Sequence, residues 1–476
     1  MEPARRRPIH WGWMAFGLCA AGYLGLFVTD VRSGTLRDGA VSTTIVWVLV
    51  AFAGFLAAAV WNERHGFSWR WIWLAAVVFR LLMLATEPTL SDDVYRYLWE
   101  GHLLSEGVSP WEYAIDDPAL DELEIDARAL ANNPGLSSPY LPTAHAAFGA
   151  AALVAPSVPL TMQVVMVGAE LVAAALLASL LTAVGADRER ILLWLWNPLV
   201  VVEVAHGAHL DALMIVLTMA GLVALFHPAV ADRRWAEIAS PALLALATLT
   251  RPLPALVAMV LFWAWGWKQR AVYVGLLIGI VGAAGAWTGL GLTGPSGGTG
   301  VFGSARVYSE TFRFNSAIYQ SLEWWIGSQG LDSEGWNEPM ALTRLVIGVV
   351  VLGALGWAFL AGRNRSEPLD VLRWCTVPLA IYAVLTPVLH PWYILLLVAL
   401  LLFVAPVGDE SGARWWLLAP WVWLAATLVL SYLTYEDPLN HAERLWVRRT
   451  IWWPTLGLLA GVLVAGSSKR LRNSTS

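Results

Sequence analysis

Residues 160–183 read LTMQVVMVGAELVAAALLASLLTA, twenty-four positions with one ionisable side chain, Glu170. A helix needs about 20 apolar residues to cross the hydrocarbon core of a bilayer, and this run meets that length without a turn signal. Working outward, similar runs recur from Trp11 to Val464 with no polar break large enough for a soluble domain. They occupy residues 11–29, 41–60, 71–86, 160–183, 190–205, 208–227, 236–250, 253–267, 271–291, 340–361, 370–387, 390–406, 414–434 and 450–467. The expectation is an all-α, polytopic transmembrane helical bundle of about 14 spans, a single domain over 1–476. The pairs 190–205 with 208–227 and 236–250 with 253–267 are joined so tightly that re-entrant or protein-buried ends are expected.

Composition agrees. Of 476 residues, 58% are hydrophobic and 14% charged, against about 25% charged in a soluble domain, which excludes a soluble enzyme. A net charge of −5 without a basic tail excludes a nucleic-acid partner. Cys19 and Cys375 both lie inside apolar runs, which excludes a disulfide framework or a zinc cluster. Arg5, Arg6 and Arg7 imitate the start of a signal peptide, but the run after them is of spanning length and lacks a small-residue cleavage site, so it reads as a retained helix.

Charge orients the chain, because cytoplasmic loops are enriched in Lys and Arg. With the N-terminus inside, the cytoplasmic segments collect 18 of the 30 basic and 10 of the 35 acidic residues, whereas the exterior segments hold 10 and 24. Both termini are then expected in the cytoplasm. The long segments 87–159, 292–339 and 435–449 are expected to share the exterior face. Binding and catalytic groups concentrate on such loops. Within the first of them, residues 142–155 are apolar but too short to span and read as an interfacial helix.

Residues 87–138 carry twelve acidic side chains against two basic ones, Arg96 and Arg128. Ser91-Asp92-Asp93 opens a helix-permissive run, Val94 to Glu106, that stops at Gly107 with Pro110 beyond. First-turn acids are common helix starters, so spacing alone favours a capping role. Position adds a second reading. The two carboxylates stand a few residues beyond a span, at the height where a lipid-borne donor meets a water-borne acceptor. One of an adjacent pair can take a proton from an acceptor hydroxyl while the other orients a ligand.

The string Ser91-Asp92-Asp93-Val94-Tyr95-Arg96-Tyr97-Leu98-Trp99-Glu100-Gly101, with Gly107-Val108-Ser109-Pro110-Trp111-Glu112-Tyr113-Ala114 after it, resembles the first exterior loop of GT-C integral-membrane glycosyltransferases. The resemblance is closest to bacterial polyprenol-phosphate-mannose-dependent mannosyltransferases. Gly207-Ala208-His209-Leu210-Asp211-Ala212, Arg313-Phe314-Asn315-Ser316 and His390-Pro391-Trp392-Tyr393 fit the same family in order. Two features depart from it: Ser138-Pro139-Tyr140-Leu141-Pro142 stands where relatives tend to carry a Tyr-Pro-Pro-like segment, and two spans precede the one leading into the acidic loop.

The resemblance implies a GT-C bundle with exterior juxtamembrane helices in the bacterial cytoplasmic membrane, its active site facing the periplasm or exterior. It implies inverting transfer of a sugar, mannose above others, from a polyprenyl monophosphate to a glycan or glycolipid hydroxyl. No cofactor is required, and a divalent metal ion stays open without assigned ligands, because Asp92 and Asp93 near His209 and Asp211 could bind one. Asp92 or Asp93 is then the expected base. The scarce exterior cations Arg448, Arg449 and Arg313, with His390, are expected at the donor phosphate, although Arg444, Arg448 and Arg449 would also suit pairing with Glu436, Asp437 and Glu443 or with lipid headgroups. His209, Asp211, Arg96, Tyr393 and Asn315 are expected at the sugars, and Trp99, Trp111, Trp324, Trp325 and Trp336 offer flat rings for sugar faces. Arg80 and Glu170 lie deep in spans and suit a structural pair. The rival class is a transporter or flippase of a lipid-linked sugar. It would show internal repeats and midplane charges, whereas this chain gathers its acids outside the membrane.

Overall fold

A computed structural model describes residues 9–292, 299–330, 339–405, 415–436 and 439–474. The chain is an all-α helical bundle, and among the described residues the one departure from helix and loop is an isolated bridge between Phe314 and Val388.

The first two helices, Ile9–Ser33 and Val41–His65, form a hairpin. Their contact is made by small residues. A Cβ on Gly22 would strike the backbone of Ala51, and one on Gly54 would strike the backbone of Cys19, the close approach that small side chains give to helices in lipid. The molecule's centre is the helix Asp211–Phe226, flanked by Pro159–Ala183, Ala236–Thr248 and Leu395–Val404. Trp267–Thr288 and Pro339–Gly362 stand at the periphery and leave most of their apolar surface uncovered.

Seven described helices are long and apolar enough to cross a membrane, or eight if the bent pair Pro198–His206 and Asp211–Phe226 counts as one span. Other runs expected as spans fall on shorter helices: Trp69–Leu84 has 16 residues, Ala236–Thr248 has 13 and Pro254–Leu261 has 8. At 1.5 Å per residue, 16 residues reach about 24 Å, less than a hydrocarbon core of about 30 Å. Hydropathy counts apolar runs, and it cannot tell a span from a half-helix covered by protein. Residues 190–205 are not one helix either, but a succession of short α, 3₁₀ and π turns. The segment 435–449, expected as a loop, is largely helix. The helix His441–Ser474 begins nine residues ahead of the predicted span, with the Asn440 side chain accepting from the Glu443 N–H at 3.1 Å.

Between the two arms of the bent pair the chain turns through 116°. Every backbone group freed at membrane depth needs a partner, and buried side chains supply several. Gln163 donates to the carbonyls of Thr86, Ala205 and His206. The His206 ring accepts from the Leu90 N–H at 3.3 Å and meets the Thr86 hydroxyl at 2.8 Å. These bonds lock the bend to residues 86–90, the lead-in to the acidic helix. Below it, Arg80 grips Glu170 through two bonds of 2.6 and 2.7 Å, with Trp194 donating to the same carboxylate. The pair expected from the sequence is present, and it is buried.

Connections sort to two ends. At one, Asn62 donates to the Glu189 carbonyl, Arg190 meets Glu63, and Arg188 lies over Trp69. At the other, Trp111 accepts from the Gly300 N–H, Asn133 donates to Tyr308, and Ser137 meets Ser304. The segments 87–159 and 292–339, expected to share one face, thus interlock at one end of the bundle. The apolar run 142–155 forms the helix Pro142–Ala152, packed on Asp93–Ser105, with Leu153 and Val154 exposed beyond it.

Candidate functional site

The acidic helix starts at Asp93, and its first turn separates the two carboxylates. Asp92 does not cap the helix. It turns outward to Arg37 of the first hairpin's connector, at 3.0 Å. Asp93 turns inward. Its Oδ1 accepts from the Asn132 amide at 2.6 Å, and its Oδ2 lies 3.4 Å from the Tyr97 hydroxyl and 3.7 Å from His209 Nδ1. Burial pushes the Asp93 pKa above the usual carboxylate range, against the opposing pull of Arg251 and the Asn132 bond. Adjacent helical residues point about 100° apart, which is why one carboxylate faces the interior and its neighbour does not.

Around Asp93 the bend and the late segments assemble a buried polar centre. His209 lies flat on Trp392, ring centroids 3.6 Å apart, with its Nε2 3.3 Å from Glu203. Glu203 in turn accepts from Tyr432 at 2.8 and 3.0 Å. Asp211 opens its helix 3.2 Å from Arg251 Nε, and the Arg251 guanidinium covers the Tyr393 ring at 5.1 Å. His390 stacks on Trp392 and on Phe314, and its Nδ1 meets the Tyr435 hydroxyl at 3.0 Å. Phe314 is fixed in place by the bridge, donating to the Pro387 carbonyl and accepting from Leu389.

A cleft of about 1270 Å³ adjoins this centre. Its walls are residues 311–317, the helix Ile318–Gly327 and the first turns of His441–Ser474. Arg313, Asn315, Arg448 and Arg449 all line it, so the structure gathers the expected donor-side cations in one place. Arg313 is paired with Glu323, and Arg449 lies over Trp453. Asn315 sits in the left-handed region (φ 48°) and its carbonyl accepts from Trp452. Its amide oxygen and nitrogen are buried with no hydrogen-bond partner among the described residues, a state that calls for a ligand or water. Phe314 is the shared wall, lining the cleft while stacking on His390 and Tyr435.

Asp93, His209, Asp211, Tyr393 and His390 therefore meet, with Arg313, Asn315, Arg448 and Arg449 next door. Arg96 does not join them. Its guanidinium is fully buried and spends its donors on Glu100 and on the carbonyls of Asn132, Asn133, Leu136 and Ser137. It fastens the loop that presents Asn132 rather than touching a ligand. Trp99 and Trp111 are core residues, both buried, whereas Trp324 and Trp325 are exposed along the cleft. Trp336 and Asp437 lie outside the described residues. Among the described residues no group of three or more His, Cys, Asp or Glu is arranged to hold a metal ion.

Sequence reasoning passed over Arg37, Asn132, Glu203, Arg251 and Tyr432. A signal existed for two of them. Glu203 and Arg251 interrupt apolar runs, and an ionisable residue at membrane depth is costly unless it is used or paired. Nothing in the sequence marks Arg37 or Asn132, because their partners are far away along the chain.

No curated protein and no solved structure matches the chain. The sequence profile described as "Alpha-(1->6)-mannopyranosyltransferase, N-terminal domain" matches residues 14–268. That stretch is more than half of the chain, and it contains Asp93, Glu203, His209, Asp211 and Arg251. The chain belongs to this family of alpha-(1->6)-mannopyranosyltransferases, and several of its helices are long and apolar enough to cross a membrane.

Proposed function

We propose that the chain moves mannose from a polyprenyl-monophosphate donor to a hydroxyl of a glycan or glycolipid, with inversion, at the exterior face of the bacterial cytoplasmic membrane. Both termini then lie in the cytoplasm. In this reading the Asp93 carboxylate takes the proton of the acceptor hydroxyl, whose oxygen bonds to the anomeric carbon as the bond from that carbon to the phosphate oxygen breaks. The electron pair leaves with the polyprenyl phosphate. Arg448 and Arg449, with Arg313 beside them, hold its charge, and Asn315 donates to it or to the sugar. The bond-making side belongs to the buried centre and the leaving side to the cleft, as in-line displacement requires.

His209, Asp211, Arg251 and Tyr393 surround the reacting carbon with fixed dipoles and charges. Preorganised polar groups of this kind stabilise an oxocarbenium-like transition state without reorganising. The exposed rings of Trp324, Trp325 and Trp453 along the cleft give the polyprenyl chain an apolar way out to the lipid. Nothing in the step calls on a metal ion.

One observation carries the reading: the half-buried Asp93 carboxylate faces a polar centre whose neighbouring cleft is lined by four arginines, Arg313, Arg444, Arg448 and Arg449. The test is transfer by the purified protein from a panel of synthetic donors. Mannose should move from polyprenyl-phosphate mannose to a glycan acceptor with inverted anomeric configuration. Transfer from a nucleotide-mannose alone, or retention of configuration, would refute the proposal.

A further inference from the structure

The connector of the N-terminal hairpin, residues 34–40, reaches the start of the acidic helix. Leu36 donates its N–H to the Thr89 hydroxyl at 2.9 Å, and Thr44 returns a bond to the Leu36 carbonyl at 2.8 Å. One residue further, Arg37 extends to Asp92 at 3.0 Å and to Asp38 at 3.2 Å. The hairpin is therefore tied to the lead-in of the acidic helix by a backbone bond and by an ion pair that ends one residue short of Asp93.

Two like charges on adjacent residues oppose each other's ionisation, and Asp92 is the nearest acid along the chain to the proposed base. From the geometry we propose that Arg37 is a positioning residue for the transfer reaction: by pairing with Asp92 it draws that carboxylate outward and offsets its charge, which leaves Asp93 as the inward, ionised base. The proposal rests on the reading of Asp93 given above.

Other charges also act on Asp93. Tyr97 faces it from its own helix, Asn132 from the loop held by Arg96, His209 with Glu203 and Asp211 from the bend, Arg251 from the connector after Ala236–Thr248, and Tyr393 and Tyr435 from the late segments. All of these stay in place when Arg37 is changed, since none is bonded to it. Arg37 and Asp92 are partly exposed, at 24% and 39%, so solvent screens the pair and its influence is modest.

The experiment is the pH profile of kcat/KM for the full-length enzyme in detergent or nanodiscs, with polyprenyl-phosphate mannose as donor. The variants are Arg37→Ala, Asp92→Asn and the two combined, beside Asp93→Asn. Loss of Arg37 leaves the Asp92 charge uncompensated, so the acid limb should move to higher pH by about 0.2 to 0.7 unit, the worth of a partly exposed ion pair expressed as pKa. Turnover should then fall about twofold to fivefold below the limb and little above it. Asp92→Asn in the same background should return the limb to its original place. A loss of activity in Arg37→Ala that is uniform with pH and not rescued by Asp92→Asn would overturn the proposal in favour of a purely structural tie. An unshifted limb with normal activity would overturn it as well. Retained activity in Asp93→Asn would instead refute the assignment of the base, a separable result.

Discussion

At the scale of single residues, the placement of charge inside the fold decides what each group can do. Asp93 is the side chain most directly exposed to a pH test. Its pKa is raised in the folded protein, and a base works only when ionised. Turnover should therefore fall as pH drops through a value above the usual aspartate pKa of about 3.9, and a limb at or below that value would contradict the burial seen here. The sign for stability is opposite to the sign for activity. A carboxyl that is harder to ionise in the fold than in the unfolded chain costs stability once charged, so the penalty grows as pH rises from the unfolded pKa through the folded one. Asp93→Asn is accordingly expected to keep or raise the melting temperature at pH 7. Glu170 behaves otherwise. Removing one partner of a buried pair strands the other, at a cost of about 3 to 5 kcal/mol, so Glu170→Ala should lower the melting temperature markedly while Arg80 keeps only its bonds to the Ala76 and Leu195 carbonyls. A melting temperature equal to the parent's would show that Arg80 finds another partner.

At the scale of elements, the helix His441–Ser474 shows what hydropathy reading misses. Its first three turns carry Arg444, Arg448 and Arg449, and so many charges read as loop. They are helix, with the Asn440 side chain bonded to the Glu443 N–H, and that continuity is what aims Arg448 and Arg449 into the cleft. Replacing Arg448 by alanine should weaken donor binding by about 1.5 to 3 kcal/mol, the range for hydrogen bonds to charged groups, with turnover at saturating donor less affected. A donor titration by tryptophan fluorescence or radiolabel checks it, and unchanged affinity in Arg448→Ala and Arg449→Ala would remove the cleft from the donor path. The acidic helix shows what sequence reading can and cannot do. Ser91-Asp92-Asp93 marked the helix start, and the 100° step between neighbours made one inward acid foreseeable. Which of the two turns inward was not legible, because Arg37 and Asn132 settle it from 55 and 39 residues away.

At the scale of the whole molecule, the membrane class, the helical bundle and the gathering of the loops at one end were all readable from apolar runs and charge bias. Which apolar runs become long helices and which become short ones was not, since a half-helix covered by neighbours and a span facing lipid share one composition. Glu203 and Arg251 illustrate the same limit. Their cost at membrane depth could be seen in the sequence, but their partners Tyr432, Asp211 and Tyr393 come from other parts of the fold. The sidedness proposed for the bundle is open to labelling. Cys19 and Cys375 are buried and free, so new cysteines at the exposed positions Ser309 and Ser366 report with little background. A membrane-impermeant maleimide should label Ser309→Cys in intact cells and leave Ser366→Cys unlabelled until the membrane is opened. The reverse pattern would invert the topology and move the site to the cytoplasmic side.

The central claim is that Asp93 removes the acceptor proton, and the direct measurement is single-turnover transfer of mannose by Asp93→Asn from bound polyprenyl-phosphate mannose. The donor is saturating, and folding is verified by melting temperature. The expected rate is about a hundredfold to ten-thousandfold below the parent's, the usual worth of general-base catalysis, with donor affinity retained. A parental rate in that variant would contradict it.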